Sequence, residues 1–244
     1  MNRASGKSFS ISPPPIWGKP PGRPQAWRQA ARLFLLLLAV AIAPAAPKTW
    51  TILTLGDSIT AGSKDFTCYR PLLAAKLEAA GFHVRFVGTR HTVGEPDDML
   101  HEGYGGRPVE YLAENIGRLY RQNPADIVLL HAGHNHFDSE KPIPGILAAT
   151  EKIIATLRAV NPEVKILLAQ VIPAGKLPKY SYIPELNQEL ARLAPRLHVV
   201  LVDQATGFDY NTDTIADQVH PNAAGAEKMA ARWYAALTPL LTAR

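Results

Sequence analysis

Thr49-Trp50-Thr51-Ile52-Leu53-Thr54-Leu55-Gly56-Asp57-Ser58 is an apolar, β-prone run closed by a glycine and two small polar residues. Such a run is what a strand covered on both faces requires, and a glycine directly after it permits a tight turn into the next element. Four similar runs follow at Val84–Val87, Ile127–His131, Val164–Ala169 and Val199–Asp203. Between and after them lie helical patterns at Arg70–Ala80, Val109–Arg121, Pro144–Val160, Pro184–Ala194 and Ala223–Thr238. Gly81 stops the first of these, and Asn161-Pro162 ends the third, because the residue before a proline is pushed out of the α region. Five strand–helix alternations predict a three-layer α/β/α fold: a doubly wound, five-stranded parallel sheet with helices on both faces. Ligands bind such sheets beyond the carboxyl ends of the strands.

Working outward, residues 1–45 read as a leader and residues 46–244 as one domain. The first 45 residues carry six of the 26 Lys/Arg and no acid, so 20 basic residues face 21 acidic ones in the remainder. The near-neutral remainder gives no electrostatic case for nucleic acid. Arg28 and Arg32 precede an eleven-residue apolar run, Leu33–Ala43, and Ala43-Pro44-Ala45 offers a small-residue cleavage site. That is the pattern of an export signal, and the run is short for a membrane span, which needs about 20 apolar residues. The expectation is a secreted or periplasmic monomer without a stable span after cleavage, an uncleaved anchor being the alternative. One cysteine, Cys68, excludes an internal disulfide and a Cys-based metal site. With no glycine elbow around it, Cys68 reads as a packed or partly exposed thiol and not as a nucleophile.

The residues with chemistry follow the strands. Ser58 sits on the turn after the first, but a serine attacks a carbonyl only with a base beside it. Asp217-Gln218-Val219-His220-Pro221 supplies a candidate: three-residue spacing lets the carboxylate take the imidazole Nδ1–H and leaves Nε2 for a serine. Asn222 is placed to cap the closing helix. Gly133-His134-Asn135-His136 follows the third strand, where an asparagine amide can donate to an oxyanion. His131, His134 and His136 invite a metal, but no carboxylate shares a face with them at an evident ligand spacing, so no metal or other cofactor is expected. The glycines of His101-Glu102-Gly103-Tyr104-Gly105-Gly106 can turn a backbone N–H outward before the second helix, and the stretch is not a dinucleotide fingerprint because it does not open a βαβ unit. Phe66, Tyr69, Tyr104 and Phe137 lie in segments placed to border a site at these strand ends.

Gly-Asp-Ser, the Gly-rich loop, Gly-x-Asn and Asp-x-x-His, in that order, resemble the four blocks of the SGNH (GDSL-like) hydrolases, over about Thr49–Leu240. The resemblance implies Ser58 as nucleophile, His220 as general base, Asp217 as its orienter, and an oxyanion hole from the Ser58 and Gly106 N–H groups with the Asn135 side chain. Tyr69-Arg70, Phe86-Val87-Gly88, His101-Glu102-Gly103 and Asn211-Thr212-Asp213 are similar to acetylxylan esterases of carbohydrate esterase family three. One departure stands out: His136 occupies the position where the family usually has aspartate. The implied activity is hydrolysis of short acyl esters, chiefly O-acetyl groups on xylan or another polysaccharide, through an acyl-Ser58 intermediate, with a small ester or acetylated polysaccharide as substrate. An O-acyltransferase, a general short-chain carboxylesterase or lysophospholipase-like enzyme, and a non-catalytic carbohydrate-binding module are the alternatives.

Overall fold

The computed structural model describes residues 48–242 together with Ser10, Ser12, Pro13, Trp17 and Gly18. The apolar run Leu33–Ala43 and its cleavage site lie outside the described residues. The strands are β1 (Trp50–Gly56), β2 (Val84–Val87), β3 (Glu102–Gly103), β4 (Ile127–His131), β5 (Lys165–Gln170) and β6 (Val200–Asp203). All pair in parallel in the order β2-β1-β4-β5-β6, with β3 also on β1. Apart from β3 this is the expected doubly wound order, whose direction reverses between β1 and β4. β3 was not among the expected strands. It is two residues long, continuing past β2 along the same edge of β1 (Leu55 opposite Glu102, Gly56 opposite Gly103), and two residues carry no periodic signal.

The helices are α1 (Ser58–Ala61), α2 (Tyr69–Ala79), α3 (Val109–Gln122), α4 (Ile143–Val160), α5 (Ile183–Arg196) and α6 (Ala223–Thr242). Alternate residues of each central strand enter opposite cores, as the period-2 geometry of a strand dictates. Leu53, Leu55, Val128, Leu130, Ile166 and Leu168 pack under α3, α4 and α5. Ile52, Ile127, Leu129, Leu167 and Ala169 pack under α2 and α6, around the fully buried Trp233. Both faces are therefore apolar, which explains the nearly continuous hydrophobic character of the strands.

Two glycines let the elements converge at the strand ends. A Cβ on Gly56 would lie 2.2 Å from the His131 carbonyl oxygen, so β1 and β4 close together only without a side chain there. A Cβ on Gly103 would lie 2.4 Å from the Ala61 nitrogen, so β3 can run against α1. The single turn of α1 is then held from below by Arg70, fully buried at the start of α2. Its guanidinium donates to the carbonyls of Thr60 (2.8 Å), Ala61 (2.7 Å) and Met99 (3.1 Å) and pairs with Glu95 at 2.6 Å. The bonds to Thr60 and Ala61 satisfy carbonyls that a four-residue helix leaves without partners.

Candidate active site

Ser58 opens α1 at the end of β1, with Asp57 as the helix cap: the Ile59 N–H donates to Asp57 Oδ1 at 3.0 Å. His220 arrives 162 residues later, on the turn before α6, and its Nε2 lies 2.9 Å from Ser58 Oγ. On the other edge of the ring, Nδ1 lies 2.5 Å from Asp217 Oδ2. Asp217 Oδ1 accepts the backbone N–H of Val219 (2.9 Å) and of His220 (3.0 Å). Burial pushes the Asp217 carboxyl up, but the His220 ring and these two N–H groups outweigh it and hold it below the ordinary carboxylate range. The turn relies on Gln218 in the left-handed region (φ 58°), on an Ile215 N–H bond to the His220 carbonyl, and on Asn222, whose Oδ1 accepts from Ala224 and Gly225 at the start of α6. The three residues singled out in the sequence are thus brought into one hydrogen-bonded line.

The glycine loop reaches Ser58 through Gly105, and Asn135 is tied to that loop. Gly105 borders the serine, a Cβ there falling 3.6 Å from Ser58 Cβ, and Gly106 follows it at φ 73°. The Asn135 side-chain amide donates to the Arg107 carbonyl at 3.0 Å, so it braces this glycine loop with one hydrogen and keeps a second for a ligand. The Asn135 turn is itself pinned by the Tyr182 hydroxyl, which donates to the Gly133 carbonyl at 2.7 Å. His136 is buried, with Nε2 3.2 Å from Glu110 on α3 and Nδ1 3.7 Å from Glu140. Two carboxylates, Glu110 and Glu140, thus flank the His136 ring.

The histidines depart from the sequence reading in one respect. His131 and His134 do share a space with a carboxylate: it is Asp57, brought from the end of β1, and one ligand atom of each residue lies within 4.8 Å of the others. His136 points elsewhere. The spacing was invisible because β4 lies next to β1 in space and more than 70 residues away along the chain. The donors nevertheless fit a metal poorly. The Ile172 N–H donates to His131 Nε2 (3.3 Å), which uses the one lone pair of a neutral imidazole and leaves Nδ1 protonated. Burial and the neighbouring His134 lower the His131 pKa to about 4, so the ring is neutral. That leaves lone pairs on Asp57 and at most on Nδ1 of His134, two ligands where a zinc site takes three or four from the protein.

The aromatic candidates separate. Phe66 stacks on the His220 ring, centroids 4.3 Å apart, whereas Tyr69 is core, fully buried and tilted against Trp233. Tyr104 is tied to Glu102 through its hydroxyl (2.6 Å) and packs edge-on against Tyr111. Phe137 is exposed beneath the Lys179 ammonium. Cys68 is buried, and desolvation pushes its thiol up to about 11, which leaves it protonated and inert. Arg70, Tyr182 and Glu110 support the site without having been singled out as doing so. No local pattern marks a residue that acts through a distant backbone carbonyl.

A parallel α/β sheet with Ser, His and Asp aligned beyond its strand ends is the arrangement of an ester hydrolase. The comparisons agree with that class, and the chain belongs to the GDSL-like Lipase/Acylhydrolase family, whose model matches residues 54–228. It is 28% identical over 251 residues to a multidomain esterase of Ruminococcus flavefaciens, covering 84% of this chain and 31% of that protein. The chain thus spans about a third of that relative's length. Among solved structures, it resembles a carbohydrate esterase of family 3 from Talaromyces cellulolyticus, with TM-score 0.70 and 27% identity over 79% of this chain and 98% of the other. A family 3 carbohydrate esterase of Clostridium thermocellum gives TM-score 0.68 and 27% identity, over 80% and 98% of the two chains. An acetyl esterase mutant solved with an acetate ion gives 0.70 and 26%, over 79% and 98%. Residues 54–228 are accordingly a domain of the SGNH-type carboxylic ester hydrolases, similar to the family 3 carbohydrate esterases.

Proposed function

We propose that this esterase removes short acyl groups, chiefly acetyl, from hydroxyls of a polysaccharide such as xylan, through an acyl-Ser58 intermediate. The observation that carries the reading is the 2.9 Å contact between Ser58 Oγ and His220 Nε2, with Asp217 on the far nitrogen. Ser58 Oγ attacks the ester carbonyl while His220 takes its proton. The Ser58 and Gly106 N–H groups and the free Asn135 amide hydrogen receive the oxyanion. Protonated His220, stabilised by Asp217, then returns the proton to the departing alcohol. Water resolves the acyl-enzyme by the same steps, with His220 again as base.

A short acyl group is favoured by the loop that borders the turn of Asp217 and His220. The Gly175 N–H donates to the Gln218 carbonyl at 2.8 Å, and residues 173–179 are polar and interrupted by prolines, with no lid helix to enclose a chain. The cleft on the other side of this loop, about 450 Å³, is lined by Pro173, Ala174, Leu177, Tyr180, Ile183 and Tyr210 and by none of the catalytic side chains. The names of the family 3 relatives point the same way. The basic leader with its apolar run supports export to the place where polysaccharide is met.

The reading is tested by a 4-nitrophenyl ester series from acetyl to octanoyl and by acetate release from acetylated xylan, each with wild type and Ser58→Ala. A pocket for a tail gains about 0.8 kcal/mol per methylene and would make kcat/KM rise along the series; without one, kcat/KM is expected to fall, and a rising series overturns the acyl assignment. Ser58→Ala is expected to be folded and inactive, and turnover near that of wild type overturns the nucleophile.

A further inference from the structure

Asp57 and His134 are both fully buried and take no part in the steps above, yet each is the immediate neighbour of a group that does. Asp57 precedes Ser58, and His134 precedes Asn135. His134 Nε2 is anchored to the Ile172 carbonyl at 2.8 Å, which turns Nδ1 toward Asp57 Oδ2 at 3.7 Å. His131 stacks on the His134 ring (centroids 5.6 Å apart, 22° between planes) and Tyr180 meets it edge-on, so the ring cannot turn aside. At that distance the Asp57 oxygen facing His134, and His134 Nδ1 itself, have no hydrogen-bond partner among the described residues. A buried carboxylate oxygen and a buried imidazole nitrogen without partners are costly, and the two are best placed to relieve each other through one proton shared between Nδ1 and the carboxylate. Burial alone raises the Asp57 pKa. The His134 and His131 rings and the Ile59 N–H overcome that and keep it below the usual carboxylate range.

We infer that His134 is a positioning residue: by gripping Asp57 it ties the turn of Ser58 to the turn of Asn135 and sets the separation between nucleophile and oxyanion donor. The protein then carries two Asp–His couples around one serine. Asp217–His220 moves the proton, while Asp57–His134 lies beneath and holds the two halves of the site in register. The structural half of the inference concerns the described contact alone, and its effect on turnover rests on the reading of Ser58 and Asn135 given above.

The test is a double-mutant cycle on kcat and KM for 4-nitrophenyl acetate, with thermal melts, using Asp57→Leu, His134→Leu and the double variant. Misplacing a reacting group by about 1 Å can cost 10²-fold, so each single change is expected to lower kcat roughly tenfold to a hundredfold with KM unchanged. The double variant is expected to be no slower than the worse single one, because the residues act as a unit. Additive losses, a change confined to KM, or kcat like that of wild type overturns the inference. Asp57→Asn covers the case in which the leucine variants do not fold: its carbonyl still accepts from Ile59, and its amide can donate to His134 Nδ1. It is expected to restore kcat to within about threefold of wild type. A folded Asp57→Asn protein as slow as a hundredfold below wild type overturns the inference too. Ser58→Ala is measured on the native background, so failure of the nucleophile assignment and failure of this link give different results.

Discussion

The Phe66 ring lies on the His220 ring, centroids 4.3 Å apart and planes 23° from parallel. With Nδ1 on Asp217 and Nε2 on Ser58, both edges and one face of the imidazole are engaged. The loop that delivers Phe66 joins α1 to α2 and is stiffened by the Ser63–Phe66 bridge and by the Asp65 N–H bond to Ser63 Oγ at 3.0 Å.

Phe66→Ala is expected to lower kcat modestly. An aromatic stack is worth about 0.5–1.5 kcal/mol, or roughly two- to twelvefold in rate. Phe66→Tyr keeps the stack and is expected to restore most of the rate in steady-state assays with 4-nitrophenyl acetate. An unchanged kcat in Phe66→Ala would show that Asp217 and Ser58 orient the ring alone.

Asn135→Ala is expected to lower kcat by about 10²–10³ with little change in KM, the usual result of losing one oxyanion donor. The amide also braces Arg107, so the loss of that bond to the glycine loop appears as a lower melting temperature. A rise in KM at constant kcat would mean that Asn135 holds the ground state, and His136→Asp becomes the informative second variant.

Activity is expected to persist in EDTA and to be lost with a serine-directed phosphonate. The reason is chemical: the His131 lone pair is spent on the Ile172 N–H, so the buried Asp57, His131 and His134 group lacks a third free ligand. Inactivation by chelator, reversed by added zinc, would contradict this assignment of protons.

Stability is expected to decline as pH falls from about 6.5 toward 4 and below. His131 and His101 are buried, and desolvation lowers their pKa values to about 4 and about 3. Between the unfolded histidine value near 6.5 and these values, the unfolded chain binds protons that the folded one refuses, so stability rises with pH in that window. Below it, Asp57 and Asp217, both depressed, add losses of the same sign. Melting temperatures across pH 7 to 4 check this, and His131→Gln is expected to flatten the curve. A melting temperature that holds constant to pH 4.5 would contradict the neutral, buried state of these rings.

The fold and the reacting line were legible along the chain because both are written in short-range patterns. A covered strand must be apolar on both faces, a helix repeats every 3.6 residues, and Asp217 and His220 stand one turn apart. Ser58, Asn135 and His220 could be placed together because parallel strands put all their carboxyl ends on one side. The tertiary structure alone decided what depends on which strands are neighbours. Setting β1 beside β4 brought Asp57 to His134, 77 positions apart in sequence, and the α1–α2 loop carried Phe66 onto His220, 154 positions away. The same packing sent Tyr69 into the core and Arg70 under α1, although the two are adjacent in sequence. Contacts of this kind follow from layer packing and close backbone approach at Gly56 and Gly103, and such contacts leave no period in the sequence for a reader to find.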